Sequence, residues 1–211
     1  EIARYGGVVR TGCPVYKVGL EGNNFTLNFA HDGVENLQAD AVISTIPLPY
    51  VNDIFPFLPP AYANRISQVR NVGVACALFR LQKPLSTNFW INIDMPDWDI
   101  PGIIEYSNLR PMKAAYIYIP FYMPHSHTNW QADDGQLLVS ARQCLASINP
   151  EAAATEEAAR IFRYEYAQPV CPPGFQNILP PCDTGIPRLF IADTAHSFPE
   201  DRSIQESVRI G

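Results

Sequence analysis

Long hydrophobic runs are missing from this chain. No apolar stretch approaches the roughly 20 residues that cross a bilayer as a helix, so a spanning segment is not expected. Charge is sparse, at 17% Asp, Glu, Lys and Arg, and the net charge of −6 comes without any cluster of basic residues. That balance argues against nucleic acid or an acidic membrane surface as the main partner. The five cysteines, Cys13, Cys76, Cys144, Cys171 and Cys182, are odd in number and never stand at C-x-x-C spacing. This argues against a disulfide framework or a zinc site and fits a reducing, cytoplasmic setting. A bridge between Cys171 and Cys182 stays geometrically open. There is also no G-x-G-x-x-G, the glycine pattern that lets backbone approach a pyrophosphate, and Gly6-Gly7 reads only as a turn. Internal repeats and low-complexity tracts are absent too.

What remains is a sequence of 211 residues with 47% hydrophobic content, enough to bury a core as one large or two small domains. The first fifty residues read as strands joined by tight turns. Pro14 to Val18 and Phe25 to Phe29 alternate apolar and polar, with turns at Glu21-Gly22-Asn23-Asn24 and His31-Asp32-Gly33. Ala41 to Ile46 is a nearly continuous apolar run, as expected of a strand buried on both faces. Prolines crowd from Pro47 to Pro60, the best candidate for a domain crossing. A helix is predicted over Ala61 to Val69. Strands are predicted over Val72 to Leu81, Phe89 to Ile93, Gly102 to Tyr106 and Ala114 to Ile119. Asp133 and Asp134 are expected to cap a helix through Leu145. A second helix is expected over Pro150 to Phe162, opened by proline and rich in Ala and Glu. A long loop from Pro169 to Pro187 then leads into a last strand.

The closing segment carries the most information. Arg188 to Ile191 is a short apolar run that ends at Asp193; a polar loop follows, and Ser203 with Glu206 stand in the S-x-x-E spacing of a capping box. An acid at the carboxyl end of a buried strand is where α/β proteins hold sugar hydroxyls. A helix start offers unpaired N–H groups to an anion or an electron-rich ring edge.

Three blocks, in order, resemble one family. Ala39-Asp40-Ala41-Val42-Ile43-Ser44-Thr45-Ile46-Pro47, Tyr166-Ala167-Gln168-Pro169-Val170 and the segment Arg188 to Gly211 are similar to the FAD-dependent amine oxidase, protoporphyrinogen oxidase and phytoene desaturase superfamily. The likeness is nearest to its putative-oxidoreductase and UDP-galactopyranose mutase-like branch, which carries a Pro-Glu-Asp-Arg loop. It spans most of the chain and is weakest between His125 and Arg160. The resemblance implies an α+β fold: a mixed, mainly antiparallel sheet substrate domain (50–165), with partial FAD-binding α/β elements before it (1–49) and after it (166–211). It implies FAD as cofactor, with Asp193 on ribityl or pyrophosphate oxygens and Arg202, Ser203 and Ile204 at the flavin edge. Val15 would offer backbone to adenine, and Ser44 and Thr45 would lie beside the dinucleotide. Because the glycine fingerprint is missing, the phosphate-binding unit is expected to lie outside this chain, which begins without Met and whose ends both read as cut. FAD affinity of the piece alone should be poor, and the piece alone inactive.

Trp90, Asn92, Glu105, Tyr106, Asn108, Tyr116 and Tyr118 are candidates to line a cavity for a small-molecule substrate, joined by Tyr166 and Gln168 on the return. Glu105 stands out by interrupting an apolar run; an edge carboxylate facing water is its plainer role. His125-x-His127 lacks a third ligand at useful spacing, so no metal site is expected. Asp193, His196 and Ser197 include triad residue types but no nucleophile elbow, which argues against hydrolase chemistry. Two alternatives stay open: a flavin-dependent nucleotide-sugar mutase, which would need Arg65, Arg70 and Arg110 to converge on a diphosphate, and a non-enzymatic binding module. No residue is singled out as a catalytic base, and neither substrate nor oligomeric state is legible.

Overall fold

A computed structural model of the protein describes residues 1–30, 35–95 and 98–211; the turn expected at His31-Asp32-Gly33 lies outside them. In chain order the elements begin with β1 (Val15–Glu21), β2 (Asn24–Phe29), β3 (Leu37–Ala39), β4 (Val42–Ser44), α1 (Leu48–Ile54) and α2 (Pro60–Gln68). There follow β5 (Asn71–Leu81), β6 (Trp90–Asn92), β7 (Gly102–Glu105), α3 (Tyr106–Leu109), β8 (Ala115–Met123), α4 (Thr128–Gln131), α5 (Asp134–Ile148), α6 (Pro150–Ala153) and β9 (Glu156–Pro169). The chain closes with α7 (Phe175–Ile178), β10 (Leu189–Ile191) and α8 (Ile204–Ile210). The fold is mixed α+β with mainly antiparallel pairing.

Two compact units form. One joins Glu1–Arg70 to Pro169–Gly211; the other is Asn71–Gln168. The division falls after Arg70, not within the proline-dense stretch. Pro47 and Pro59 stand just before α1 and α2, and Pro49 and Pro60 sit in their first turns, where a missing N–H costs nothing. Leu48, Val51, Phe55, Leu58, Tyr62 and Ile66 from this stretch bury themselves with Val18 and Phe25 of the β1–β2 hairpin and Leu189 and Ile191 of β10. That shared core draws 50–70 into the first unit.

In the first unit β1–β2–β3 is an antiparallel meander, with a register irregularity between Val15 and Lys17. Separately, β4 and β10 pair in parallel, Val42 to Leu189, Ile43 to Phe190 and Ser44 to Ile191. β4 is not buried on both faces as its composition suggests, since Ile43 is 72% exposed and its partner Phe190 44%. Leu189, Ile191 and Ser44 face inward.

The second unit is a five-stranded sheet, β6-β7-β8-β5-β9, with α5 against one face. Strand alternation sorts its residues. Ala75, Ala77, Phe79 and Leu81 of β5 and Ile117, Ile119, Phe121 and Met123 of β8 pack with Leu137, Ala141, Cys144 and Leu145 of α5. The capping box at Asp133 is formed: its carboxylate accepts from the Gln136 amide at 2.9 Å while Gln136 Oε1 accepts from the Asp133 amide at 3.3 Å. The helix expected over Pro150 to Phe162 stops at Ala153, and β9 takes over. Helix propensity of the Glu/Ala run loses to a long-range partner: β9 lies beside β5, and Ile161 enters the core with Ala159 packed against it. Arg80 on β5 meets Glu157 on β9 at 2.7 Å.

Candidate functional site

The carboxyl ends of β4 and β10 bring Ser44-Thr45 together with Ala192-Asp193-Thr194, because the strands are parallel and in register. The Ala192 amide donates to the Ser44 carbonyl at 2.9 Å, extending the ladder to the sheet edge. Ligands of α/β sheets bind outside such carboxyl ends. Thr45 and Thr194 are exposed there, while Ser44 is buried.

Asp193 points inward. Its Oδ2 accepts from the Leu48 amide at 2.9 Å, closing the orphan end of α1, and its Oδ1 accepts from the Ala195 amide at 2.7 Å. Its own N–H donates to His196 Nδ1 at 3.0 Å, completing a capping box for the 3₁₀ turn Thr194–Ser197. The His196 ring reaches on to the Pro180 carbonyl at 3.1 Å. The Asp193 side chain is only 8% exposed. Sequence reading picked out the acid but missed Thr194 beside it and the bracing role of His196, whose i+3 spacing from an acid at a strand end was the available signal.

The other expected cofactor residues are more dispersed. Val15 is half-buried at the irregularity of β1, against the first unit's core. Ser203 caps α8 by accepting from the Glu206 amide at 3.1 Å. The Glu206 carboxylate pairs with Arg209, so only half of the expected capping box is seen. α8 is a seven-residue helix with no buried residue, and Ile204 on its first turn is 87% exposed. Arg202 is exposed in the loop before it, its amide donating to Asp201 Oδ1.

In the second unit the expected substrate residues divide. Tyr118 lies on the sheet face turned away from α5, as its register with Leu78 and Ile104 requires. Tyr106 meets it edge-on with ring centroids 6.4 Å apart. Tyr116, in register with Arg80, shares that face, and alternation in β9 puts Phe162, Tyr164 and Tyr166 there too. Trp90 is in register with Ile104, and its indole N–H donates to Asn92 at 2.6 Å. Gln168 is exposed at the end of β9.

Glu105 is corrected on both of its expected roles. Paired with Ile117, it points to the core face and is fully enclosed. Its carboxylate accepts from the amides of Leu85 and Ser86, each at 2.9 Å, and from the Ser86 hydroxyl at 3.3 Å. Asn108 binds the same loop through the carbonyls of Ser86 and Asn88. Both residues secure the turn between β5 and β6. A cleft of about 390 Å³, lined by Ile93, Trp98, Asp99, Tyr122 and His127 among others, contains none of the expected substrate residues.

His125 stacks near Trp130 and Tyr166 and contacts the Glu165 carbonyl at 2.8 Å, and His127 Nδ1 accepts from the Asn129 amide. Among the described residues no group of three or more His, Cys, Asp or Glu is placed to hold a metal ion. All five cysteines are free thiols, Cys171 and Cys182 included. Among the described residues no helix is long and apolar enough to cross a membrane.

The first unit thus offers the carboxyl edge of a parallel strand pair, and the second an antiparallel sheet with one aromatic face. The family model described as flavin containing amine oxidoreductase matches residues 2–208, and the chain belongs to that family. Among solved structures, cyclohexylamine oxidase from Brevibacterium oxydans IH-35A superimposes with a TM-score of 0.70 at 17% identity, over 93% of this chain and 46% of that one. An oxidoreductase from Methanosarcina mazei gives 0.66 at 15% identity, over 90% and 46%. A redesigned putrescine oxidase triple mutant gives 0.63 at 11%, over 86% and 42%. The chain therefore spans less than half the length of these structures. A search of curated proteins finds no match.

The donor set at the β4–β10 edge fits part of a flavin dinucleotide. Exposed threonine hydroxyls and main-chain groups suit a polyhydroxylated chain. A phosphate cradle does not fit among the described residues, which hold no glycine-rich turn opening a helix.

Proposed function

We propose that the chain forms part of an FAD-dependent oxidoreductase of the amine oxidase and desaturase kind, supplying one rim of the cofactor site and the wall of a substrate cavity. The observation that carries this reading is the parallel β4–β10 pair, whose in-register carboxyl ends gather Ser44, Thr45, Asp193 and Thr194. Bound FAD supplies the hydride acceptor, chemistry that no side chain here provides. Thr45 and Thr194 would hydrogen-bond the hydroxyls of the ribityl chain, with Ser44 holding the strand end beneath them. By family resemblance, Val15 would meet the adenine through its backbone. Arg202, Ser203 and Ile204 would meet the electron-rich edge of the ring. The open face bearing Tyr106, Tyr116, Tyr118 and Tyr166 would exclude water and present π-rich surface to a small amine or unsaturated substrate. Gln168, exposed at the end of β9, remains a candidate polar contact for that substrate.

The mutase alternative needs arginines free to bind a diphosphate. Arg65 instead donates to the carbonyls of Ile178 and Leu179, which weakens that reading. The experiment is reconstitution with FAD of the full-length protein, carrying the phosphate-binding unit that the family resemblance places outside this chain, followed by anaerobic addition of a primary amine, a polyene or a nucleotide sugar. Retained flavin absorbance, bleached by amine or polyene but not by nucleotide sugar, is expected. Failure to retain flavin under any condition would overturn the proposal. The double variant Thr45→Ala, Thr194→Ala should weaken retention about tenfold or more, at about 1 kcal/mol per lost hydrogen bond.

A further inference from the structure

The turn between β6 and β7 and the end of β8 border the cleft of about 390 Å³, which lies wholly within the second unit and has the size of a small ligand site. Its walls are largely apolar, with Ile93, Trp98, Tyr122 and Met123 against the polar pair Asp99 and His127. No Lys or Arg lines it, and the sequence holds neither from 84 to 109. The turn that carries Asp99 is held in place. The Ile93 amide donates to the Pro101 carbonyl at 3.2 Å, and the Trp98 amide to the Met95 carbonyl at 3.1 Å. Ile100 is buried in the core and Trp98 packs against it, so Asp99 between them is turned outward with its side chain 55% exposed. Asn129 Nδ2 donates to Asp99 Oδ2 at 2.7 Å. His127 Nδ1 accepts from the Asn129 amide, which leaves Nε2 at 3.7 Å from the same Oδ2, beyond hydrogen-bond reach. Both neighbours therefore sit on Oδ2, and Oδ1 has no partner among the described residues.

We propose that this cleft binds a small organic cation, its ammonium group on Asp99 Oδ1 and its apolar body against Ile93, Trp98 and Tyr122. The site needs nothing from the β4–β10 edge, so it stands or falls independently of the flavin reading. One carboxylate among aromatic walls does not suit a metal ion, which asks for several oxygen or nitrogen ligands, and no such group of three is present among the described residues. An anion is repelled by Asp99. An organic cation gains from the carboxylate, from the ring faces of Trp98 and Tyr122, and from burial of its apolar part. Low-dielectric walls concentrate the field of the acid inside the cleft. Because Asp99 is half exposed, the attraction should weaken as salt is raised.

Calorimetric titration of the full-length protein with benzyltrimethylammonium tests the site, at pH 8, where an ordinary imidazole is neutral. Saturable binding is expected, and benzoate, of similar size and opposite charge, should not bind. Asp99→Asn keeps an acceptor for Asn129 and removes the charge; it should melt as the parent does and lose about tenfold in affinity. Tyr122→Leu should lose about threefold, while Tyr122→Phe, which keeps the ring, should bind within about twofold of the parent. Absence of binding to the parent overturns the proposal. So does equal affinity of the parent and Asp99→Asn, which would place the cation elsewhere, as on the tyrosines of the open sheet face.

Discussion

Replacing Glu105 separates a structural acid from a substrate ligand. Its carboxylate sits at 0% exposure and accepts three hydrogen bonds from the loop between β5 and β6, two of them from backbone amides. Truncation by Glu105→Ala leaves the Leu85 and Ser86 amides buried or half-buried without a partner, each costing about 1–3 kcal/mol. The cavity left in a packed region adds to this. The expected loss is about 4 kcal/mol, which for a chain of this size lowers Tm by roughly 10 °C. Glu105→Gln keeps one acceptor but turns an N–H toward one of the amides, so about half that loss, roughly 2 kcal/mol, is expected. Urea unfolding followed by tryptophan fluorescence reads the change, since Trp90, Trp98 and Trp130 all belong to this unit. A Glu105→Ala protein within about 1 kcal/mol of the parent would refute the account. So would a Gln variant of unchanged stability whose only defect is substrate binding.

Three further outcomes follow from the same physics. Burial pushes the thiols of Cys76 and Cys144 from 9.0 up to about 11. Folding therefore favours their protonated forms, a stabilisation fully present below the unfolded value and lost as pH rises toward 11. Unfolding free energy should fall by up to about 1.4 kcal/mol per pH unit per thiol in that window, and a Cys76→Ala, Cys144→Ala protein should show a flatter profile in urea titrations. Gly73→Ala should destabilise by about 1–3 kcal/mol, because its Cβ would lie 2.5 Å from the rigid Trp130 ring; a thermal melt equal to the parent's would contradict that packing. Asp133→Ala removes the cap of α5 and should cost about 1 kcal/mol, with Asp133→Asn or Asp133→Ser recovering most of it in the same melt.

Much of the fold is legible in local pattern, and the exceptions have identifiable causes. β5, β7 and β8 announce themselves through alternation, and α5 through its cap. Residues 156–162 look helical because propensity is a local quantity, whereas the vacant edge of β5 that recruits them is not visible along the chain. Prolines at 47–60 suggest a linker, yet proline opens a helix as readily as it breaks one. At the β4–β10 edge, pattern located the acid that ends the last strand. It could not say which way the Asp193 carboxylate turns, since that depends on an α1 amide 145 positions away in sequence. Glu105 misled for a related reason: parity within β7 sends it to the core face, and its partners come from a loop about twenty residues earlier.

The prolines explain why so many polar side chains turn out to be internal braces. With 20 of 211 residues lacking an N–H, the chain has carbonyls in excess of backbone donors, and buried carbonyls need partners. Arg65, Tyr62, His196 and Asn149 answer that demand, the last by donating to the Leu85 carbonyl at 3.1 Å just after Pro84. The acids perform the complementary service: Asp193 and Glu105 gather amides that helix ends and loops leave unpaired. A polar residue near a proline-rich loop of this protein therefore has to be tested first as a donor to that loop before it is credited with a ligand. By that criterion exposed Thr45 and Thr194 on the parallel edge, and the tyrosines of the open sheet face, stand clear as residues placed to meet small molecules.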